Sequence, residues 1–366
     1  MATRPLSFWA TIVFVFFLSC KGKTSFVLKL ALLQDPRFPQ LSHLDVQEIL
    51  AAAQEMTAQK FATEIDFSLA HEGFVEDFFK SSSLPKNGDF IIDEEYLLQE
   101  FRKKKNSALA FLRKNWSLKD LGAYFPTGSY ESFWQNLFLT YRQKLATLRN
   151  YRLKNGMLLL NHKPYESYRS WKKIMREQNL YDFILTNHFI LYDEVAEPYP
   201  HVIFKHAKVS GSSFDSPKRE GPFMGKSAMM SVFELYAEEE YFLGERTKKI
   251  KNYSRSFRNK ALGGYLLAHE IGHMLFWISD VYDHGRNCLM DTRFENLEIA
   301  DGYRVLLEHP EPCPRCLEYV EARKKIANLY EKQEIEKILD ALKDYPKPNE
   351  LPFETIRQLL GKKYSP

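Results

Sequence analysis

The sequence predicts an α+β protein: a mixed, twisted sheet with one helix carrying a candidate site, interrupted by a helical insertion and closed by a helical C-terminal part. Three observations predict it. Residues 25–70 read strand, helix, strand; strand character is lost over 89–180 and returns over 181–236; and a helix-spaced apolar run at 262–276 carries two histidines four residues apart. With 366 residues, 45% of them apolar, the chain is long enough for one large or two modest domains with a sizeable core.

The elements follow in order. Residues 25–33 (SFVLKLALL) form a nearly continuous apolar run of strand length, as a buried central strand requires. Ser42 can cap a helix reaching about residue 60, with Leu44, Val46, Ile49, Leu50, Ala53 and Met56 at helical spacing. Residues 63–70 alternate, Ile65, Phe67 and Leu69 against Glu64, Asp66 and Ser68, which predicts a half-buried strand. The stretch 89–180 is aromatic and basic, with helices expected at 94–105, 130–150 and 165–178. Strands are expected at 181–192, 200–208 and 227–236, with a Ser/Gly/Pro-rich loop at 210–221. The last strand edge should lie along a cleft where an extended chain can add itself. A helix from about residue 256 carries the motif, and helices at 317–342 and 354–360 end the chain.

The motif is His269-Glu270-Ile271-Gly272-His273. Two imidazoles four residues apart lie one turn apart on one helix face, so both can address one metal ion. Leu262, Tyr265, Leu266, His269, His273 and Phe276 form a single apolar stripe. Imidazoles on such a stripe need compensation, which favours a shared ion over two core histidines. Glu270, at the edge of that face, can reach a water on the metal and act as its general base. A catalytic zinc takes three protein ligands; His284, followed by the turn-permissive Gly285, is the leading third, with Asp280 and then Asp283 as alternatives.

The run resembles the metzincin clan of zinc metallopeptidases, H-E-x-x-H-x-x-G-x-x-H followed by a Met-turn. His269, Glu270 and His273 match by position, and Met290 in Cys288-Leu289-Met290-Asp291 matches the Met-turn. The departures are Phe276 at the usual Gly, Ser279 at the usual third His, and His284 five residues late. Cys288-Leu289-Met290 followed by Cys313-Pro314-Arg315-Cys316 is similar to archaemetzincins, in which such cysteines help bind a second, structural zinc; there the position of Gly285 is a fourth Cys. Asp280-Val281-Tyr282-Asp283 also resembles immune-inhibitor-A-type peptidases, whose third ligand is an Asp. The resemblance implies a metzincin-like catalytic domain with one catalytic Zn²⁺, Glu270 as base, then acid to the leaving amine, and a peptide or protein substrate. Tyr303 and Tyr282 are candidate oxyanion stabilisers.

Cys288, Cys313 and Cys316 could hold a structural zinc with a fourth ligand such as His309, or Cys313 and Cys316 could close a disulfide. At the N-terminus, Arg4 precedes an apolar run at 8–18, too short to span a bilayer and of secretory length. Phe17-Leu18-Ser19-Cys20 resembles a relaxed bacterial lipobox, which implies lipidation of Cys20 and an exported, membrane-anchored chain in the cell envelope. The expected organisation is therefore 1–19 signal peptide, 20–88 and 181–310 catalytic domain, 89–180 helical insertion and 311–366 C-terminal helices. A net charge of +4 with mixed signs argues against a nucleic-acid partner. The competing functions are a non-catalytic surface lipoprotein that only binds, and a zinc amidase acting on cell-wall peptides.

Overall fold

The structure is a computed structural model that describes residues 25–82, 94–122, 126–178, 180–193, 211–216, 225–236, 252–280, 284, 288–290, 303–304 and 307–346. It is a mixed α+β fold on a five-stranded sheet. The signal segment expected at 1–19 with Cys20, the strand expected at 200–208 and the helix expected at 354–360 lie outside the described residues. No described helix is long and apolar enough to cross a membrane.

The first apolar run becomes β1 (Ser25–Gln34), flanked by β2 (Glu64–Phe74) and β3 (Phe183–Thr186), both parallel to it. Leu30 to Leu33 are buried on both faces, as a central parallel strand covered by helices must be. Ahead of the β3 pairing, which starts at Leu30, Val27 is 55% exposed. The sheet order is β2-β1-β3-β5-β4, with β5 (Gly225–Ser231) parallel to β3 and β4 (Gly211–Ser216) antiparallel at the edge. In β2 the expected alternation holds for Ile65 and Phe67, but Leu69 is 45% exposed at the opposite edge.

Three corrections concern these strands, the first being that the strand expected at 227–236 ends at Ser231 and gives way to a helical turn at Phe233–Tyr236. The strand expected over 181–192 ends at Thr186, because Asn187 and His188 leave the ladder to bond elsewhere: Asn187 Nδ2 donates to the carbonyls of Asp35 and Pro39, and His188 Nδ1 meets Asp35 at 2.7 Å. The loop expected at 210–221 instead contains β4. Its serines read as loop, yet their hydroxyls are used across the fold: Ser216 Oγ donates to the Met175 carbonyl and Ser212 Oγ pairs with Tyr168 Oη at 2.9 Å.

One sheet face is covered by α1 (His43–Phe61), which Ser42 starts with the expected cap, a reciprocal box with Asp45 worth about 1 kcal/mol. After α2 (Val75–Ser81), the described residues of the stretch 89–180 form helices α3 (Glu94–Lys103), α4 (Lys105–Asn115), α5 (Leu118–Gly122), α6 (Tyr130–Asn150) and α7 (Tyr168–Glu177), with 151–163 non-helical between the last two. Phe101, Leu109, Leu112, Trp134, Leu137 and Leu145 build a second core there, shared with Phe38, Phe189 and Phe233 from outside the stretch, with Phe101 stacked on Trp134 at 3.9 Å. The last helix of this stretch belongs to the sheet instead. Trp171, Ile174 and Met175 of α7 cluster with Ile184, Phe214 and Met229 on the face away from α1.

After α8 (Phe233–Tyr236), the chain enters α9 (Arg255–Arg258), a π-helical turn (Asn259–Gly264) and α10 (Tyr265–Phe276), which carries the histidines. Asn259 Nδ2 donates to Asp45 and Glu48 of α1, and Arg255 pairs with Asp45 at 2.7 Å, fixing α10 against α1. The single helix expected over 317–342 is two, α11 (Pro314–Glu331) and α12 (Ile335–Lys343), separated at Gln333, whose φ is 59°.

Candidate metal centres

The apolar stripe of α10 packs into the core between α1 and the sheet, burying His269 and leaving His273 half-buried. Each ring is oriented by a backbone carbonyl: His269 Nδ1 donates to Leu289 O at 2.9 Å and His273 Nδ1 to Ile278 O. A carbonyl only accepts, so both Nδ1 atoms carry hydrogen and both Nε2 atoms are free to ligate. The two Nε2 atoms lie 3.0 Å apart, and Asp280 Oδ1 lies 3.2 Å and 3.3 Å from them.

Asp280, not His284, therefore joins the histidine pair, and the sequence expectation for the third ligand is corrected. The reason is the way α10 ends. The reversal comes at Trp277, held at φ 53° in the left-handed region. A bulky residue adopts that conformation only when its surroundings hold it there. Arg323 stacks over the Trp277 ring at 4.2 Å and the Tyr345 ring lies 5.5 Å away. The chain then brings Asp280 back to the ring edges within seven residues of His273.

The charge balance of this group favours a cation. Burial alone would lower the pKa of the His269 imidazole; the neighbouring Asp280 carboxylate outweighs it and pushes the value up to about 9. Against its own burial, Asp280 is held well below the usual carboxylate range by both histidines. Three ligand atoms facing one another this closely fit a divalent ion, whose bonds of about 2.0–2.2 Å space tetrahedral ligands about 3.3–3.5 Å apart. Asp280 is the most exposed of the three, its side chain 44% accessible against 11% and 16% for the histidines.

Glu270, the residue after His269, is buried on α10 against the edge strand. A Cβ at Gly211, the first residue of β4, would overlap its carboxylate, with Glu270 Cδ at 2.8 Å. The lack of a side chain at 211 thus gives Glu270 its place. Met290, fully buried, packs against α10 at Gly272: a Cβ there would meet its Sδ and approach Phe61 Cζ to 3.0 Å. Neither glycine was picked out by sequence reasoning; only the facing chain reveals their use.

His284 lies in a second group with Cys288, Cys313 and Cys316. Its Nδ1 is 3.8, 3.6 and 3.5 Å from the three sulfurs, and Cys288 Sγ is 3.4 Å from Cys316 Sγ. All three thiols are free, which removes the disulfide alternative from this structure. A tetrahedral ion with sulfur at about 2.3 Å spaces such ligands about 3.5–3.8 Å apart, so the group fits one metal. His309, the fourth ligand considered from sequence, is exposed and contributes only its backbone carbonyl, which accepts from buried Lys60. The Lys60 ammonium interacts electrostatically with Cys288 and Cys313, offsetting the charge that three thiolates bring. Hydrogen bonds from Cys288 and Cys316 pull the Cys313 thiol well below its usual range, priming one thiolate.

Of the tyrosines considered as oxyanion stabilisers, Tyr282 is outside the described residues, and Tyr303 packs edge-on against Phe257, beside the main core. Comparison with protein-family models, curated proteins and solved structures finds no match to this chain.

Proposed function

We propose that this protein is a zinc-dependent peptidase with a metzincin-like catalytic domain, its zinc held by His269, His273 and Asp280, with Glu270 as general base. The observation that carries the reading is the convergence of His269 Nε2, His273 Nε2 and Asp280 Oδ1 within 3.3 Å of one another, with Glu270 on the same helix. Bound there, zinc supplies Lewis-acid chemistry, polarising a substrate carbonyl and lowering the pKa of a coordinated water to about 7. Glu270 takes the proton from the attacking water and passes it to the leaving amine. The Asp third ligand agrees with the resemblance to immune-inhibitor-A-type peptidases, and Met290 beneath α10 with the Met-turn.

A peptide substrate suits the edge strand. Among the described residues no strand pairs with the outer side of β4, and β4 begins where Glu270 ends, so an extended chain paired there would run past the base. The soft Cys288, Cys313, Cys316 and His284 set suits a second, structural zinc. Lipidation of Cys20 and anchoring in the cell envelope complete the reading, resting on the lipobox resemblance. Glu270→Gln is the test: zinc content and fold should persist while hydrolysis of unfolded protein substrates is lost. A variant as active as wild type would defeat the reading, and activity confined to peptidoglycan fragments would give the place to the amidase.

A further inference from the structure

The two centres alternate along one stretch of chain. Asp280 serves the histidine pair; His284, four residues on, serves the cysteines. Four residues further, Cys288 is again a ligand of the cysteine group, and its neighbours turn back to the first centre. The Leu289 carbonyl accepts from His269 Nδ1 at 2.9 Å, and Met290 lies beneath Gly272. From beyond the turn that ends α10 the first centre receives the Ile278 carbonyl, Asp280, the Leu289 carbonyl and Met290, and the last three lie within four residues of His284 or Cys288 of the second.

The tether is short. Four residues span at most about 14 Å, so fixing His284 confines Asp280. Leu289 is adjacent to Cys288, and fixing that sulfur confines the carbonyl that orients His269. The second centre is itself held from outside: Cys316 is buried in the first turn of α11, and Lys60 of α1 donates to the carbonyl of His309 ahead of Cys313. Ligand carboxylates and the groups that orient ligand histidines set metal affinity, with losses of about 10–100-fold when such support is removed.

We infer that the Cys288/Cys313/Cys316/His284 centre positions the hydrolytic centre: filling it with metal fixes Asp280 and the Leu289 carbonyl, so the two sites fill cooperatively, the thiolate site first. His284 and Leu289 are then positioning residues, acting through Asp280 and His269. The inference rests on the metal reading of the histidine centre given above. Linkage makes the coupling reciprocal, and a 5–150-fold change in affinity is the usual range.

The test is zinc binding to the full-length chain under reducing conditions, by competition with a chelator, with circular dichroism to follow the fold. His284→Ala should weaken zinc at the histidine centre about 5–150-fold, and His284→Cys, which restores a fourth ligand on the same tether, should bring the affinity back. Unchanged affinity in His284→Ala would overturn the coupling and leave the peptidase reading intact. A wild type whose zinc content is insensitive to His269→Ala would overturn both. If His284→Ala does not fold, an organomercurial that takes up the three thiols of the wild type should release one zinc and weaken the other about 5–150-fold against the chelator; unchanged affinity of the remaining zinc would overturn the inference.

Discussion

Glu270 and the two residues that confine it, Gly211 across the cleft and His269 beside it on α10, are where chemistry depends on single atoms. Glu270→Gln keeps the side chain's shape and removes its basicity, so hydrolysis should fall at least about 10²-fold with zinc content unchanged, as steady-state kinetics alongside metal analysis would report. Gly211→Ala attacks the same group indirectly. Its Cβ would press on the Glu270 carboxylate, the movable end of a side chain, so kcat should drop while thermal stability stays within about 0.5 kcal/mol of wild type. His269, Glu270 and His273 were legible in the sequence because a helix turns their spacing into geometry. The third ligand was not, because a loop residue's position depends on the turn at Trp277 and on Arg323 and Tyr345, which hold that turn from far along the chain.

The elements are joined by buried polar groups as well as by apolar packing. At the C-terminal ends of β1 and β3, Asp35 accepts from His188 and from Arg37, and Arg37 also pairs with Glu166 at 3.3 Å, tying the sheet to the 3₁₀ turn (Pro164–Glu166) ahead of α7. Burial alone would raise the Asp35 carboxyl; its bonds from His188 and Arg37 outweigh that and hold it well below the usual carboxylate range. A depressed carboxyl contributes stability that is present above its unfolded pKa of about 3.9 and is lost as pH falls through the folded value. Urea melts should therefore lose stability steadily below about pH 4, and Asp35→Asn should be less stable at neutral pH with a flatter acid limb. Beneath α10, Gly272→Ala would crowd Met290 and Phe61 and cost about 1–3 kcal/mol, read as a lowered denaturation midpoint. The sequence showed strands where apolar residues run or alternate, as in β1, and helices where a cap and a stripe agree, as in α1. It hid β4, whose serines carry no apolar signal and find their partners in α7.

In the whole molecule, the helical stretch and the sheet are not cleanly separate bodies. Its first helices share their core with Phe38, Phe189 and Phe233, and α7 closes the sheet face opposite α1 and touches the edge strand through Tyr168 and Ser212. That places a helix of the insertion against the strand along which substrate is proposed to lie, and Tyr168→Phe should shift KM more than kcat in peptide hydrolysis. The account as a whole rests on two metal centres sharing one stretch of chain, and elemental analysis of the purified protein at saturating zinc tests it most directly. Two zinc ions per wild-type chain, one in His269→Ala and one in the Cys313→Ser/Cys316→Ser pair, are the predicted result; a folded wild type that binds no zinc would contradict it.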